Sequence, residues 1–185
     1  MKRLFLSFAL LAAALPAQAA SRHHSHPASP GPVTVGIVAF NDFHGQLEPP
    51  HQAVLAPDGK GDVAQVPAGG AAWFAGAVEA IRAKYRNHLT VAAGDMTSAS
   101  QLSSALFLDE PTVGVMNRLG VDFNAIGNHE FDRGRDELLR LQTGGCVKHT
   151  NAQPCALEHF TGAKYRYLAA NAIDTKTGHT LFPAS

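Results

Sequence analysis

The sequence contains little cysteine and tryptophan, with two and one in 185 residues. Two cysteines are too few for a disulfide-dense scaffold, and the 17 glycines and 11 prolines follow no fixed period, which excludes a collagen-like chain. Charged residues make up only 16%, with 15 basic and 15 acidic side chains, so the composition indicates no polybasic surface for polymeric nucleic acid. The 45% of hydrophobic residues is enough for one sizeable core.

The N-terminus has the pattern of a secretory signal peptide. Two basic residues precede an apolar run at 4–15, and Ala17-Gln18-Ala19 follows. This pattern predicts a signal peptide over residues 1–19, cleaved after Ala19, and therefore a periplasmic or secreted protein. Cleavage removes two positive charges and leaves a net charge of −2. Neither the apolar run at 4–15 nor any later one approaches the roughly 18 residues of a membrane span, so we expect no membrane association after cleavage.

Residues 20–32 form a short segment rich in histidine and proline. Such a segment cannot bury enough apolar surface to order itself, so it is predicted to be a flexible leader. Its histidines could alternatively collect metal ions. The folded part is expected to occupy residues 33–185.

The two cysteines lie close together in a polar stretch. Cys146 lies within a segment rich in Gly, Thr, Asn and Gln at 143–153, and Cys155 lies two residues after its end. In an oxidising compartment such a pair is predicted to form a disulfide that closes a small surface loop. A metal site with His149 and His159 is the alternative, although the order Cys-x2-His-x5-Cys-x3-His fits no common zinc pattern well.

Short apolar runs alternate with helical periods from residue 33 onward. Strands are predicted at 33–40, 89–93, 123–126 and 167–170, and helices at 71–86, from Pro111 to a stop at Gly120, and after Gly134. A proline- and glycine-containing loop is expected between the first strand and the first helix. Strands separated by helix-length segments indicate βαβ units, an α/β fold class and a mainly parallel sheet.

Each of the three clearest strands is followed by side chains that could hold a metal ion. Asp42 and His44 follow the first strand, Asp95 the second, and Asn128 and His129 the third. In open parallel sheets, ligands bind beyond the carboxyl ends of the strands. We therefore expect these side chains to converge on one site.

Two divalent cations about 4 Å apart would suit a phosphoester substrate, because they neutralise its charge and lower the pKa of a bound water. Such a pair needs a bridging carboxylate. Asp95, in the middle loop, is the natural bridge, with Asp42 and His44 at one ion and Asn128 at the other.

His129 is then left to face the phosphate and the leaving oxygen. Asp132, three residues further on, could hydrogen-bond the imidazole and favour its protonated form. This pair is the predicted catalytic pair.

Three motifs together resemble the N-terminal signatures of the calcineurin-like metallophosphoesterases, specifically the secreted 5′-nucleotidase branch: 41–45 (Asn-Asp-Phe-His-Gly), 93–95 (Ala-Gly-Asp) and 127–132 (Gly-Asn-His-Glu-Phe-Asp). Residues 69–70, 116–120 and 170–172 are similar to that branch in order and spacing, so the resemblance covers about 34–183. It implies a four-layer α/β sandwich, here its N-terminal part and incomplete at the C-terminus, with two ions such as manganese, zinc or cobalt.

The resemblance implies the same assignment of ligands and of the catalytic pair. It implies hydrolysis of nucleoside 5′-monophosphates, and in some members of nucleotide sugars, dinucleoside polyphosphates or 2′,3′-cyclic nucleotides. The family's further histidine ligands and its C-terminal nucleotide-binding domain have no counterpart in these 185 residues. His179 follows a glycine but lacks the second histidine of the family's Gly-His-x-His segment, so we expect it in a turn.

Three interpretations follow. The sequence could be the N-terminal part of a longer exported nucleotidase, or a short metal-binding domain with weak or no hydrolysis. It could also be a different hydrolase on the same scaffold, such as a thiohydrolase or a cyclic phosphodiesterase. An incomplete sandwich is expected to leave a strand edge and an apolar sheet face exposed.

Overall fold

The computed structural model describes residues 31–50 and 53–184. The signal peptide, its cleavage after Ala19 and nearly all of the leader lie outside the described residues. The strands are β1 Gly36–Phe40, β2 Ala53–Pro57, β3 Val63–Pro67, β4 His88–Ala92, β5 Phe123–Ala125 and β6 Arg166–Leu168. The helices are α1 Ala71–Arg82, α2 Leu102–Ala105, α3 Glu110–Leu119 and α4 Arg135–Thr143, with a 3-10 turn at His129–Phe131.

Four of the strands form one parallel sheet in the order β1-β4-β5-β6. This confirms the predicted α/β class and the parallel arrangement. The four predicted strands are all present: β4 has the predicted length but lies one residue earlier, and the other three are shorter than predicted by one to three residues. Because all four run in the same direction, the loops that follow them meet at one edge of the sheet.

The two faces of this sheet are covered unequally. One face buries a side chain from each of the four strands: Val38, Thr90, Asn124 and Tyr167. On the other face Ile37 pairs with Leu89, and these side chains are 65% and 37% exposed. In a parallel sheet both faces are normally covered. The described residues therefore leave an apolar face open, as expected for an incomplete sandwich.

Helix α3 begins and ends where its sequence predicts. Pro111 occupies the first turn, and Val113, Met116 and Leu119 are buried on one side of the helix. The helix stops at Gly120, whose φ of 70° closes the last turn. Helix α1 ends at Arg82, earlier than the predicted residue 86.

A hairpin occupies the segment that was expected to be a loop, which corrects the prediction. Strands β2 and β3 pair antiparallel, and the turn between them is built on Asp58, whose Oδ1 accepts the N–H groups of Lys60 and Asp62 at 2.7 and 3.1 Å. Its apolar residues are largely exposed, so no burial pattern marks these strands in the sequence. Helix α2, only four residues long, was also not predicted.

Cys146 and Cys155 are bonded to each other, with an S–S distance of 2.07 Å. The loop they close is attached to the helices by buried charges: Arg140 contacts Glu137 and Glu110, and Glu110 accepts the N–H of Cys155 at 2.9 Å. The bonded sulfurs are not thiolates and so are poor metal ligands in this form.

His179 is exposed and follows a turn that is closed by the N–H of Gly178 and the carbonyl of Asp174, at 2.7 Å. This agrees with the expected turn. None of the described helices is both long enough and apolar enough to cross a bilayer.

Candidate metal centre

The loops after β1, β4 and β5 meet at the carboxyl edge of the sheet. We call them the first loop (41–46), the second loop (93–101) and the third loop (126–134). Main-chain hydrogen bonds join the first two: the N–H groups of Asp42, His44 and Gly45 donate to carbonyls of residues 94, 95 and 96 at 3.0–3.1 Å. The side chains of these loops are therefore carried on a backbone that is fixed by pairing.

Three predicted ligands have a left-handed backbone. The φ angles of Asp42, His44 and Asp95 are 53°, 45° and 53°. Non-glycine residues rarely adopt this conformation, and they do so mainly where the surrounding structure holds them there for function. Three predicted ligands thus share this backbone, which among the described residues is also found at Ser98, Ala99, Leu108, Asp109 and Cys155.

Asp95 lies tightly against the third loop. A Cβ atom added to Gly127 would come within 2.7 Å of both the Cγ and the main-chain N of Asp95. The N–H of His129 donates to Oδ1 of Asp95 at 3.0 Å. The glycine therefore permits the close approach of the two loops, and the hydrogen bond fixes one oxygen of the carboxylate.

Side-chain donors from all three loops gather at this point. One nitrogen of His44, one nitrogen of His129 and one carboxylate oxygen of Asp95 all lie within 4.8 Å of one another. The two imidazole rings stand edge to face, with centroids 4.9 Å apart. The structure thus brings together residues that are 34 to 85 positions apart in the sequence.

The two histidines each have one nitrogen engaged elsewhere. Nδ1 of His44 contacts the carbonyl oxygen of Ser98 at 2.9 Å, which leaves Nε2 free to act as a ligand. Nδ1 of His129 contacts Oδ2 of Asp132 at 2.8 Å. This hydrogen bond raises the pKa of His129 above its ordinary value, and the charges of Asp95 and Glu130 act in the same direction.

The other two predicted ligands are more exposed than the three residues of this cluster. Asp42 is more than half exposed, and its Oδ1 is 3.7 Å from Nε2 of His44. The side-chain amide of Asn41 donates to its other oxygen. Asn128 is exposed and lines a cavity of about 410 Å³ together with Arg135 and Asn171. Asp42 does not belong to the group of three.

The donor set fits a divalent transition metal. Imidazole nitrogens and carboxylate oxygens are the ligands that suit zinc, manganese and cobalt. A histidine whose second nitrogen is held by a backbone carbonyl, as His44 is by Ser98, is the usual arrangement around such ions.

Sequence reasoning missed the residues that support this cluster. Glu130 accepts hydrogen bonds from the backbones of the second and third loops. Asp109 is fully buried, accepts the N–H of Ser98 at 3.0 Å and pairs with Arg133. The only signal available was that Glu130 and Arg133 lie in or beside the third motif.

Comparison with known proteins finds relatives along most of the chain. A protein of Acinetobacter calcoaceticus, described as an uncharacterized protein in the pqq-V 5′ region, is 52% identical over 163 residues, covering 85% of this chain and 79% of that protein. Endonuclease YhcR of Bacillus subtilis is 36% identical over 152 residues, covering 82% of this chain and 12% of that protein.

The solved structure of the NAD nucleotidase of Haemophilus influenzae aligns with a TM-score of 0.55 and 30% identity, over 77% of this chain and 21% of that one. Further relatives carry the name 5′-nucleotidase. The chain belongs to the 5′-nucleotidase family of calcineurin-like metallophosphoesterases.

The metallophosphoesterase chain covers very different shares of its relatives' lengths. It spans 79% of the Acinetobacter protein but only 12–22% of the Bacillus, Listeria, Treponema and NAD nucleotidase sequences. A calcineurin-like phosphoesterase structure from Bacillus subtilis shares the fold at 23% identity. No protein-family model matches the chain. Several of these relatives are named as nucleotidases, and the match covers only a part of each of the longer ones.

Proposed function

We propose that this protein is an exported, metal-dependent phosphoesterase that hydrolyses nucleoside 5′-monophosphates or related small nucleotides. The observation that carries the proposal is the convergence of His44, Asp95 and His129 within 4.8 Å, in a chain of the 5′-nucleotidase family. The left-handed backbone of two of these residues supports it, because such strain is kept where function requires it.

Two divalent cations would supply charge neutralisation at the phosphate and a water of lowered pKa. Asp95 would bridge them, since its carboxylate lies between the first and third loops. His44 and Asp42 would hold one cation, and Asn128 the other. The exposed positions of Asp42 and Asn128 leave both side chains able to turn toward the site.

His129 and Asp132 would serve the leaving group. Asp132 holds Nδ1 of His129 at 2.8 Å, so the proton on that nitrogen is fixed and Nε2 is left to face the substrate. Nε2 is then the atom that would hold a proton for the departing nucleoside oxygen. His129 also lies beside Asp95, since its main-chain N–H donates to Oδ1 of Asp95 at 3.0 Å.

The first experiment is a substrate panel on metal-stripped protein reloaded with manganese, zinc or cobalt. Phosphate release from AMP should exceed release from 3′-AMP, and depend on the added ion. Preference for a 2′,3′-cyclic nucleotide, a dinucleotide such as NAD, or a sulfur ester would identify a different hydrolase on the same scaffold. Cleavage of single-stranded DNA would point to the activity in the name of the Bacillus relative.

Variants separate metal binding from the chemical step. Asp95→Asn should weaken both ions and abolish hydrolysis, whereas His129→Asn should slow turnover and leave metal content largely intact. Asp62→Asn, an exposed change in the β2–β3 turn, is the matched control and should alter neither. Equal loss of metal in the Asp95 and His129 variants would contradict the assigned roles.

Ions bound without hydrolysis of any substrate would favour a metal-binding domain over an enzyme. The intact mass of the natural product, recovered from the exported fraction, tests both the cleavage after Ala19 and the extent of the chain.

A further inference from the structure

Glu130 is a buried carboxylate placed beside the candidate metal centre. Its side chain is 3% exposed, and it lies in the 3-10 turn of the third loop. None of the ion pairs found among the described residues includes Glu130. A buried charge of this kind is costly unless other groups stabilise it.

Main-chain N–H groups supply that stabilisation. Oε2 of Glu130 accepts from Asp95 at 2.9 Å and from Gly127 at 2.8 Å, and Oε1 accepts from Met96 at 2.8 Å. Hydrogen bonds to an ionised carboxylate are roughly twice as strong as those between neutral groups. One side chain thus fastens the second loop to the third, at the residue that carries the bridging carboxylate.

The position of these bonds matters because Asp95 adopts a strained backbone. Its φ of 53° costs free energy that its neighbours have to offset. Glu130 accepts hydrogen bonds from the N–H groups of Asp95 and Met96. It also accepts the N–H of Gly127, and the Asp95 side chain packs against that glycine. The direction of the Asp95 carboxylate is therefore fixed through the backbone that carries it.

We propose that Glu130 is a positioning residue for the metal centre: it fixes the backbone of Asp95 and so sets the direction of the bridging carboxylate. This inference rests on the proposed function for its metal-binding consequence. The role needs an acceptor at both oxygens, because three donors converge on Glu130 from two loops.

Glu130→Gln is the discriminating change, because it keeps the size and shape of the side chain. The amide offers only one acceptor oxygen. If the amide NH₂ takes the place of Oε1, it faces the N–H of Met96. If it takes the place of Oε2, it faces the N–H groups of Asp95 and Gly127. Either orientation leaves at least one buried donor without a partner.

Glu137→Gln is the matched control. Glu137 is also buried, at 1% exposure, and both of its oxygens contact Arg140 of the same helix, at 2.6 and 3.0 Å. Within the described residues, no hydrogen bond joins its side chain to any of the three loops. This variant reports what the same substitution does to a buried carboxylate that does not support Asp95.

The experiment combines manganese titration with amide hydrogen exchange on the purified protein. We expect Glu130→Gln to bind Mn²⁺ about tenfold more weakly, in the range seen when groups supporting metal ligands are removed. Exchange should accelerate at the amides of Asp95, Met96 and Gly127. Glu137→Gln should lower the thermal midpoint but keep Mn²⁺ affinity within about twofold of the unsubstituted protein and leave those three amides protected.

Unchanged exchange at the three amides in Glu130→Gln would overturn the proposal, as would an equal loss of Mn²⁺ affinity in both variants. If Glu130→Gln does not fold, Glu130→Asp keeps the charge but is one methylene shorter, and faster exchange at the same amides is again required. If the unsubstituted protein binds no Mn²⁺, the proposed function fails, and the exchange pattern alone decides the role of Glu130.

Discussion

A methyl group at position 127 should disable the metal centre. In Gly127→Ala the new Cβ would lie 2.7 Å from Cγ and 2.7 Å from the main-chain N of Asp95, whereas ordinary contact begins near 3.4 Å. Asp95 or the third loop must then move by roughly 0.7 Å, the difference between these two distances. Rotation of the Asp95 side chain cannot relieve the clash, because one of the two atoms belongs to the backbone and is held by Glu130.

Overpacking of this kind costs about 1–3 kcal/mol of stability, and misplacement of a functional group by about 1 Å can cost about 100-fold in rate. We therefore expect a modest fall in the thermal midpoint together with a loss of Mn²⁺ affinity of at least about tenfold. Gly76→Ala is the control: Gly76 lies in α1 with open space around its Cα, so alanine should stabilise the helix by up to about 1 kcal/mol. Gly127→Ala with the Mn²⁺ affinity of the unsubstituted protein would refute the close-approach argument.

Two further predictions concern stability. Burial alone would raise the pKa of Asp109, but serine hydroxyls and the guanidinium of Arg133 outweigh it and hold that pKa below its ordinary value. Asp109 therefore contributes stability above about pH 4 that is lost as the pH falls through its lowered pKa, so acid unfolding should be less steep in Asp109→Asn. A denaturant series from pH 7 to pH 2 measures this, and parallel curves would contradict it. Replacing both Cys146 and Cys155 by serine opens a loop with a sequence separation of 9 and should cost roughly 3 kcal/mol at pH 7. An unchanged denaturation midpoint would show that the loop is held by the Glu110 contacts instead.

The framework of the fold was predictable because its strands are short apolar runs that end in polar residues. Helix α3 was predictable in detail, since Pro111 and Gly120 act locally at its two ends. The β2–β3 hairpin was not predictable by the same reasoning. Its apolar residues face solvent, and prolines at the ends of both strands are typical of loops.

The candidate site divides in the same way. Asp42, His44, Asp95 and His129 follow directly from strand ends, so the topology of a parallel sheet brings them to one edge. Their supports depend on contacts between distant segments. Glu130 acts through main-chain N–H groups of residues 34 and 35 positions away. Every residue except proline has such a group, so the sequence does not indicate which ones it binds.

The uneven cover of the parallel sheet makes neighbouring positions of one strand differ in what substitutions they tolerate. Val38 packs into the core, so a polar replacement there buries an unsatisfied group, while Ile37 next to it faces outward and loses little by becoming threonine or lysine. In a library of variants selected only for folding of the described domain, position 37 should accept polar and apolar residues alike, and position 38 should stay apolar. If selection for the proposed activity restores an apolar residue at position 37, that constraint must come from a partner surface that covers this face in the functional protein.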